Sequence, residues 1–386
     1  MRRYLTTRLA QNVLTYFLFL TMVYFLIDAQ PGDFGNSLIN DPRLTAEQRQ
    51  IIRQRLGLDQ PTFVRFGKWV LAVAQGDFGI SFSNYPRPVL DVIAERAPRT
   101  ITLFLSASIV SFYFGFMAGK LLAWRRGGWL EYVATVTGVG LYTVFYPWFG
   151  LMMILLFSYL LGWFPIGKFI DPILWRTAEN VTANAVFLRM ILSGIIVGAA
   201  LFVWTRITQG LDPLRRSRTR WVGIVVIGVL FIAYWTLFTG GMGKYALDIA
   251  WHLVLPIVTL TLVAFAGQML LTRNSMLETL REDYIMTARA KGLPEKVVRD
   301  KHAARNAMLP VITAFVFSLA ATLDGGVITE TVFSWPGMGL TLLTAATTED
   351  IPMAIGALVF TGALALIAHL VADILYAYLD PRIRYA

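Results

Sequence analysis

A charged segment between two long apolar runs carries the residues best suited to binding a partner. It reads Glu282-Asp-Tyr-Ile-Met-Thr-Ala-Arg-Ala-Lys-Gly-Leu-Pro-Glu-Lys296 and continues to Pro310. Gly292 suits the left-handed position that closes one helix, and Pro294 suits the first turn of the next, where no amide donor is needed. We therefore expect a compact, cationic helix–turn–helix whose chemistry is non-covalent docking.

Side chains that could carry covalent or metal chemistry are scarce. The chain has no cysteine, and its three histidines are far apart without zinc-like spacing. Gly115-x-x-x-Gly119-Lys120 resembles a phosphate loop, but it has one residue too few between the glycines, and no Ser or Thr follows the lysine. It fits a close helix contact better. We therefore expect neither an intramembrane enzyme nor an ATPase in this chain.

Two carboxylates lie inside apolar runs. Asp324 stands beside two glycines, at a depth where a charge is costly unless it faces water or a partner. Two alternatives stay open for Asp324: it lines a translocation path, or it forms a structural pair. Asp373 and His369 share one predicted helix face, where a packed polar patch is favoured over a proton relay.

The elements that position these residues are membrane spans. With 56% hydrophobic and 15% charged residues, the chain departs from soluble domains, which carry about 25% charged residues. A hydrocarbon core of about 30 Å needs about 20 apolar residues as helix. We predict an all-α polytopic membrane fold with eight spans. The spans are Leu9–Ile27, Ile101–Ala123, Tyr132–Phe157, Val186–Thr205, Trp221–Thr239, Trp251–Thr272, Met308–Thr329 and Met353–Tyr378.

The distribution of Lys and Arg predicts the orientation. With the N-terminus inside, the inner segments hold 21 of the 34 Lys and Arg residues, which favours cytosolic placement of both termini. The net charge of +10 is therefore assigned to inner loops rather than to nucleic-acid binding. We interpret the first span, which follows three arginines, as a retained signal anchor.

Several segments resemble the ABC importer permeases of the dipeptide/oligopeptide (B-type) branch. Residues 278–307 are similar to their coupling loop, and Glu330-Thr-Val-Phe-Ser-Trp-Pro-Gly-Met-Gly339 is similar to a second signature. The segments Gly76-Asp-Phe-Gly-Ile-Ser-Phe82 and Ile351-Pro352 also resemble the family. The resemblance implies the type I transmembrane fold of these importers. It assigns coupling to an ATPase to Tyr284, Thr287, Ala288, Arg289, Ala290, Lys291, Gly292 and Pro294.

The resemblance also implies partners. These are a second permease subunit in a heterodimer, two ABC ATPase subunits that bind ATP and Mg, and an extracytosolic solute-binding protein. We expect membrane lipid around the chain, no cofactor or metal within it, no nucleic-acid partner, and a place in a prokaryotic plasma (inner) membrane. The resemblance implies that the chain moves solute by alternating access coupled to the ATPase subunits, and di- or oligopeptides are the favoured solute. Relatives of this type carry dipeptides, oligopeptides, nickel chelates or oligosaccharides, so the transported substrate itself stays open.

The predicted organisation combines six family spans with an inserted hairpin of two. We expect a tail and first span (1–27), an extracytosolic segment with short helices (28–99), spans two and three (100–165), an inserted region (166–246) and the core permease (247–386). A short helix is expected to begin at Pro61 and end at Gly76. For its aromatic stripe, packing on the membrane surface or the bundle is favoured over substrate binding. We interpret the basic loop of the insertion, Arg215-Arg-Ser-Arg-Thr-Arg220, as a positive-inside anchor, which is favoured over a regulatory or lipid-specific site.

The alternative function is that of an ion-gradient-driven secondary transporter. Such a protein needs intramembrane ionisable groups or broken helices in paired repeats. Asp324 and Asp373 are the only such carboxylates, and no repeat is visible. Under the importer hypothesis, Asp324 and Glu330 are instead the candidates for a translocation path.

Overall fold

The computed structural model describes residues 2–29, 60–125, 127–178, 181–322 and 326–379. Within these ranges the regular structure is helical, apart from one isolated antiparallel bridge between Ile80 and Pro88. Six helices there are long and apolar enough to cross a membrane, or seven if one interrupted pair counts as a span. The predicted all-α polytopic fold is confirmed. The six are Thr6–Leu26, Val89–Trp124, Ala183–Gly210, Arg215–Phe238, Gly243–Thr279 and Ile351–Leu375.

The predicted third span, Tyr132–Phe157, is wrong as a single helix. The first piece, Trp129–Thr143, ends at Val144, whose backbone is extended at φ −64° and ψ 139°. A new helix begins at Tyr146. Pro147 explains the break, because proline lacks an N–H donor and its ring disfavours helical geometry in the preceding residues.

The predicted span Met308–Thr329 overlaps a helix, Ala304–Thr322, and then residues 323–325. These three residues, among them Asp324, lie outside the described ranges. A short helix, Val327–Val332, follows.

Contacts divide the chain into two compact units. The first comprises residues 1–148, 260–331 and 336–386. In it the last helix packs against the first helix, against Val89–Trp124, against Ala304–Thr322 and against Met338–Thr347. In chain order, the helices that begin in this unit are α1 (Arg2–Asp28), α2 (Thr62–Ala74), α3 (Val89–Trp124), α4 (Trp129–Thr143) and α5 (Tyr146–Met153).

The second unit comprises residues 149–259 and 332–335. Its core contains Trp335, which is fully buried and makes edge contacts with Phe169 and Phe187 at ring distances of 5.1 and 6.4 Å. The helices that begin here are α6 (Pro172–Trp175), α7 (Ala183–Ile207), α8 (Pro213–Ala233) and α9 (Gly243–Thr279), the last of which continues into the first unit.

The remaining helices of the first unit follow α9. They are α10 (Asp283–Ala290), α11 (Glu295–Val297, extended by a wider helical turn to Ala303), α12 (Ala304–Thr322), α13 (Val327–Val332), α14 (Met338–Thr347) and α15 (Ile351–Leu379).

Gly115 and Gly119 make the close helix contact that their spacing predicts. A Cβ at Gly115 would stand 2.6 Å from the Cβ of Gln268, and a Cβ at Gly119 would stand 2.5 Å from the carbonyl oxygen of Met269. Only glycine lets α3 approach the backbone of α9 this closely. The helix-contact prediction is therefore confirmed.

The helix predicted after Pro61 is also confirmed, as α2. It ends before Gly76, which has a positive φ of 79°. Its aromatic face packs on α1: Phe66 lies 5.3 Å from Tyr24 between ring centres, and Trp69 lies 5.4 Å from the same ring. The stripe therefore contributes to packing within the first unit, as expected.

Candidate functional site

The predicted coupling loop, residues 278–307, contains a short helix with a well-defined end. Gly292, with φ +72°, occupies the left-handed position after α10, as predicted. Its N–H donates to the carbonyl oxygen of Arg289 at 2.9 Å, and the N–H of Leu293 donates to that of Ala288 at 3.4 Å. These two bonds form a Schellman motif, which satisfies carbonyls at the helix end and fixes the turn toward Pro294.

An apolar cluster anchors this loop to the ends of longer helices. Ile285 is fully buried, and Leu293, the residue after the glycine, packs against the same cluster. The hydroxyl of Ser275 adds a hydrogen bond to the carbonyl oxygen of Ala307 at 2.9 Å. Because interiors are close-packed, a displacement of α10 must move the helices that share this cluster. The buried members are Phe116, Ala123, Met276, Ile285, Ala288, Val298, Ala303, Ala304, Ala307 and Val311.

The predicted coupling residues divide between two faces of the loop. Ala288 is 5% exposed and belongs to the anchoring cluster, so within this chain it contributes to packing. The other seven are exposed, and they are Tyr284, Thr287, Arg289, Ala290, Lys291, Gly292 and Pro294.

Charged side chains connect the loop to α3. The Nζ of Lys120 on α3 lies 3.2 Å from Asp300, which also accepts hydrogen bonds from Arg299 at 2.9 and 3.0 Å. The hydrogen bonds from Arg299 have the largest effect on the pKa of Asp300. Together with Lys120 they outweigh the partial burial and lower this pKa to about 2. The guanidinium of Arg289 lies 5.6 Å from the ring centre of Trp124.

An open basic cleft of about 610 Å³ lies beside α10. The Tyr284 hydroxyl at its edge accepts a hydrogen bond from the Nδ2 of Asn306 at 2.7 Å. The loop thus offers a rigid exposed helix next to a cationic recess, which suits an acidic rim on a partner. The cleft is lined by Tyr284, Lys301, His302, Arg305 and Asn306.

The structure places Glu330 in a buried polar cluster. Its side chain has no exposed surface, and its two oxygens accept hydrogen bonds from the Thr100 hydroxyl at 2.6 Å and the Leu340 N–H at 2.9 Å. The Thr100 oxygen in turn accepts the N–H of Met338 at 2.7 Å. A Cβ at Gly337 would collide with the carboxylate. These contacts connect Glu330 to Thr100 and to the second signature, and its place on a translocation path stays a prediction.

A second buried carboxylate, Asp350, was missed by sequence reasoning. Its Oδ2 accepts hydrogen bonds from the Ser81 hydroxyl at 2.6 Å, the Ser83 N–H at 2.9 Å and the Ser83 hydroxyl. Its Oδ1 accepts the N–H of Met353 at 3.2 Å, which caps α15. Asp350 thereby joins two family-like segments that are far apart in the chain. An Asp directly before Ile351-Pro352 was the available signal.

The other ionisable candidates, Asp373 and His369, each have a polar partner within the chain. Asp373 pairs with Arg8 at 3.5 Å, and the Nδ1 of His369 lies 2.8 Å from the carbonyl oxygen of Ala365. In the described ranges, no three His, Cys, Asp or Glu side chains cluster in a way that could hold a metal ion.

The spanning helices and the exposed, anchored loop are those of a multi-pass membrane protein. The family described as "Binding-protein-dependent transport system inner membrane component" matches residues 111–385, and its N-terminal counterpart matches residues 1–104. The chain belongs to this family. It is a membrane permease subunit of an ABC importer, and the secondary-transporter alternative is not favoured.

Three curated relatives illustrate the similarity. The oligopeptide transport system permease protein AppB of Bacillus subtilis is 31% identical over 95% of this chain and 94% of its own length. The di/tripeptide transport system permease protein DppB of Pseudomonas aeruginosa is 30% identical over 100% of this chain and 99% of its own. The glutathione transport system permease protein GsiC of Escherichia coli is 29% identical over the full length of both. The resemblance predicted from the sequence is confirmed.

Proposed function

We propose that this permease subunit imports di- or oligopeptides by alternating access. The similarity over the whole chain to relatives named for oligopeptide, di/tripeptide and glutathione transport supports a peptide substrate. The proposed complex contains a second, different permease subunit, two ATPase subunits that bind ATP and Mg, and an external solute-binding protein. The chain itself hydrolyses no ATP. It lies in the inner membrane, with both termini in the cytosol.

The observation that carries this proposal is the anchored coupling loop. Its exposed helix is closed by Gly292 and shares a buried cluster with the ends of α3, α9 and α12. Reversing an inward/outward population ratio from 1:99 to 99:1 requires about 5.5 kcal/mol of differential binding. A helix bound by an ATPase can supply this differential binding. The turn that ends the helix has a defined geometry, so the movement of the helix is passed on to the longer helices that share its cluster.

Replacement of Gly292 by valine tests the coupling function. No atom lies within 4 Å of a Cβ built at Gly292, so the cost comes from the positive φ of 72° and not from a clash. We expect Gly292→Val to lower peptide uptake and substrate-stimulated ATP hydrolysis together in proteoliposomes that contain the complete complex. The strained turn displaces α10 from the geometry that a partner recognises.

Gly241→Val is the matched control. Gly241 also has a positive φ, of 85°, and open space around it, but it lies between α8 and α9. It should keep transport coupled to hydrolysis. Normal uptake and ATPase stimulation in Gly292→Val would reject the proposed function of the loop.

Substrate class has a separate test. The complete complex, supplied with its solute-binding protein, should take up a labelled di- or tripeptide. Uptake of a nickel chelate or an oligosaccharide, with no peptide transport, would contradict the peptide assignment while leaving the coupling mechanism intact.

A further inference from the structure

Five arginines gather at one end of the α7–α8 hairpin, in a segment that we call the basic turn (residues 206–220). Asp212 is the only acidic residue in it. A positive-inside anchor accounts for the sign of this charge. It does not require the folded arrangement that the structure shows, because orientation during insertion depends only on the number of cations.

Internal hydrogen bonds give the basic turn a defined shape. The Nε of Arg220 donates to the hydroxyl of Thr208 at 3.1 Å, and a terminal nitrogen of the same guanidinium donates to the carbonyl oxygen of Thr205 at 3.3 Å. Arg216 donates to the carbonyl oxygen of Gln209. Two of the five arginines therefore satisfy carbonyl groups at the end of α7, where cations are favourable.

A tryptophan connects α7 and α8 next to the basic turn. The Nε1 of Trp204 donates to the carbonyl oxygen of Thr219 at 3.2 Å. Its indole lies where a Cβ of residue 223 would be, so the close contact requires Gly223. The basic turn is thus held between two helices that cannot splay without losing this contact.

The other three arginines, Arg206, Arg215 and Arg218, remain exposed. No ion pair joins them to an acidic side chain in the part of the chain that the structure describes. The guanidinium of Arg206 lies 5.1 Å from the ring centre of Phe202, which is itself 59% exposed. At least one of these cations, Arg206, therefore lies beside an exposed apolar ring.

We propose that the basic turn binds the phosphate headgroups of anionic phospholipids. Guanidinium groups pair with phosphate oxygens through two parallel hydrogen bonds, and arginine clusters that adjoin a membrane helix attract anionic lipid. The apolar surface of the hairpin, where Ile195, Val225 and Leu230 are each more than half exposed, accommodates the acyl chains. Under the orientation proposed above, the bound lipids belong to the inner leaflet.

The test measures the preference of the complete complex for spin-labelled phosphatidylglycerol over spin-labelled phosphatidylcholine. In the triple variant Arg206→Gln, Arg215→Gln and Arg218→Gln, we expect this preference to fall by at least about fivefold, since each arginine near an anionic surface contributes about that factor. The thermal-unfolding midpoint of the complex checks that the variant is folded. Glycerol phosphate in solution should compete weakly, because it lacks acyl chains.

Two further variants serve as controls. Replacing the same three arginines by lysine keeps the charge and should retain most of the preference. Replacing Lys168, Arg189 and Lys244, three exposed cations of the same unit outside the basic turn, by glutamine removes equal charge and should leave the preference unchanged. An unchanged preference in the arginine-to-glutamine variant, or an equal loss in this charge control, overturns the proposal. Dissociation of another subunit without a change in lipid preference would assign the turn to a protein partner and overturn it as well.

Discussion

Asp350 provides a quantitative prediction about stability. It is fully buried, and its carboxylate connects Ser81 and Ser83, before α3, to the start of α15. In Asp350→Ala, two buried donors lose their acceptor: the hydroxyl of Ser81 and the N–H of Met353. Ser83 is exposed, so water can replace the bonds that its N–H and hydroxyl lose.

The magnitude follows from the two buried donors. An unsatisfied buried donor costs about 1–3 kcal/mol, so the alanine variant should lose about 2–6 kcal/mol of stability. Asp350→Asn keeps one acceptor oxygen for Met353 but leaves the hydroxyl of Ser81 unpaired, and its cost should be about 1–3 kcal/mol. Asp350→Ala should therefore be less stable than Asp350→Asn, and both should be less stable than the wild type.

The pH dependence has a definite sign. Burial alone would raise the pKa of Asp350, but hydrogen bonds from Ser81 and Ser83 outweigh it and hold the pKa below its usual value. A group with a lowered pKa in the folded state stabilises the protein above its unfolded pKa, about 3.9. This contribution is lost as the pH falls below about 4 toward the folded pKa. Asp350→Asn should remove this part of the acid sensitivity.

The assay is the thermal-unfolding midpoint of the purified complex, combined with hydrogen exchange of residues 79–88. A loss of 1 kcal/mol lowers the midpoint of a domain of 150–250 residues by about 2–4 °C, so Asp350→Ala should lower it by at least about 4 °C and expose that segment to exchange. Glu349→Gln removes the neighbouring, exposed carboxylate and should change neither quantity. A wild-type midpoint and exchange rate for Asp350→Ala would refute the reasoning.

Two further substitutions have defined outcomes. Glu330→Ala leaves the buried hydroxyl of Thr100 and the N–H of Leu340 without an acceptor, at a cost of about 1–3 kcal/mol for each, so the melting midpoint should fall; an unaltered midpoint would show that the cluster is not needed. Gly119→Val overpacks the α3–α9 contact and should cost about 1–3 kcal/mol or more, whereas Gly140→Val, with open space around it, should cost less; equal losses in thermal unfolding would contradict the predicted contact.

Local chemistry made much of the coupling loop predictable. The positive φ of Gly292 and the helix that follows Pro294 depend on residues adjacent in sequence, so the sequence predicts both directly. The burial of Ala288 is not predictable from its neighbours in sequence, because the side chains that bury it come from α3, α9 and α12. The exposed and anchored faces of the loop therefore became distinguishable only in the folded unit.

The interruption before Tyr146 was predictable in principle. Pro147 lies within the apolar run and proline breaks helices, whereas apolar length alone predicts one continuous span. Hydropathy measures how well a segment dissolves in lipid. It carries no information about whether the backbone within that segment is straight.

By itself, the sequence determined that this protein is a helical membrane permease subunit, since composition, apolar length and the family-like segments are properties of the chain in any conformation. Only the tertiary structure shows how Glu330 and Asp350 are satisfied, because Thr100 and Ser81, which donate hydrogen bonds to them, lie 230 and 269 residues away along the chain. A carboxylate is stable without water only when donors surround it. Which donors do so depends on the packing of distant helices, which no short sequence pattern encodes.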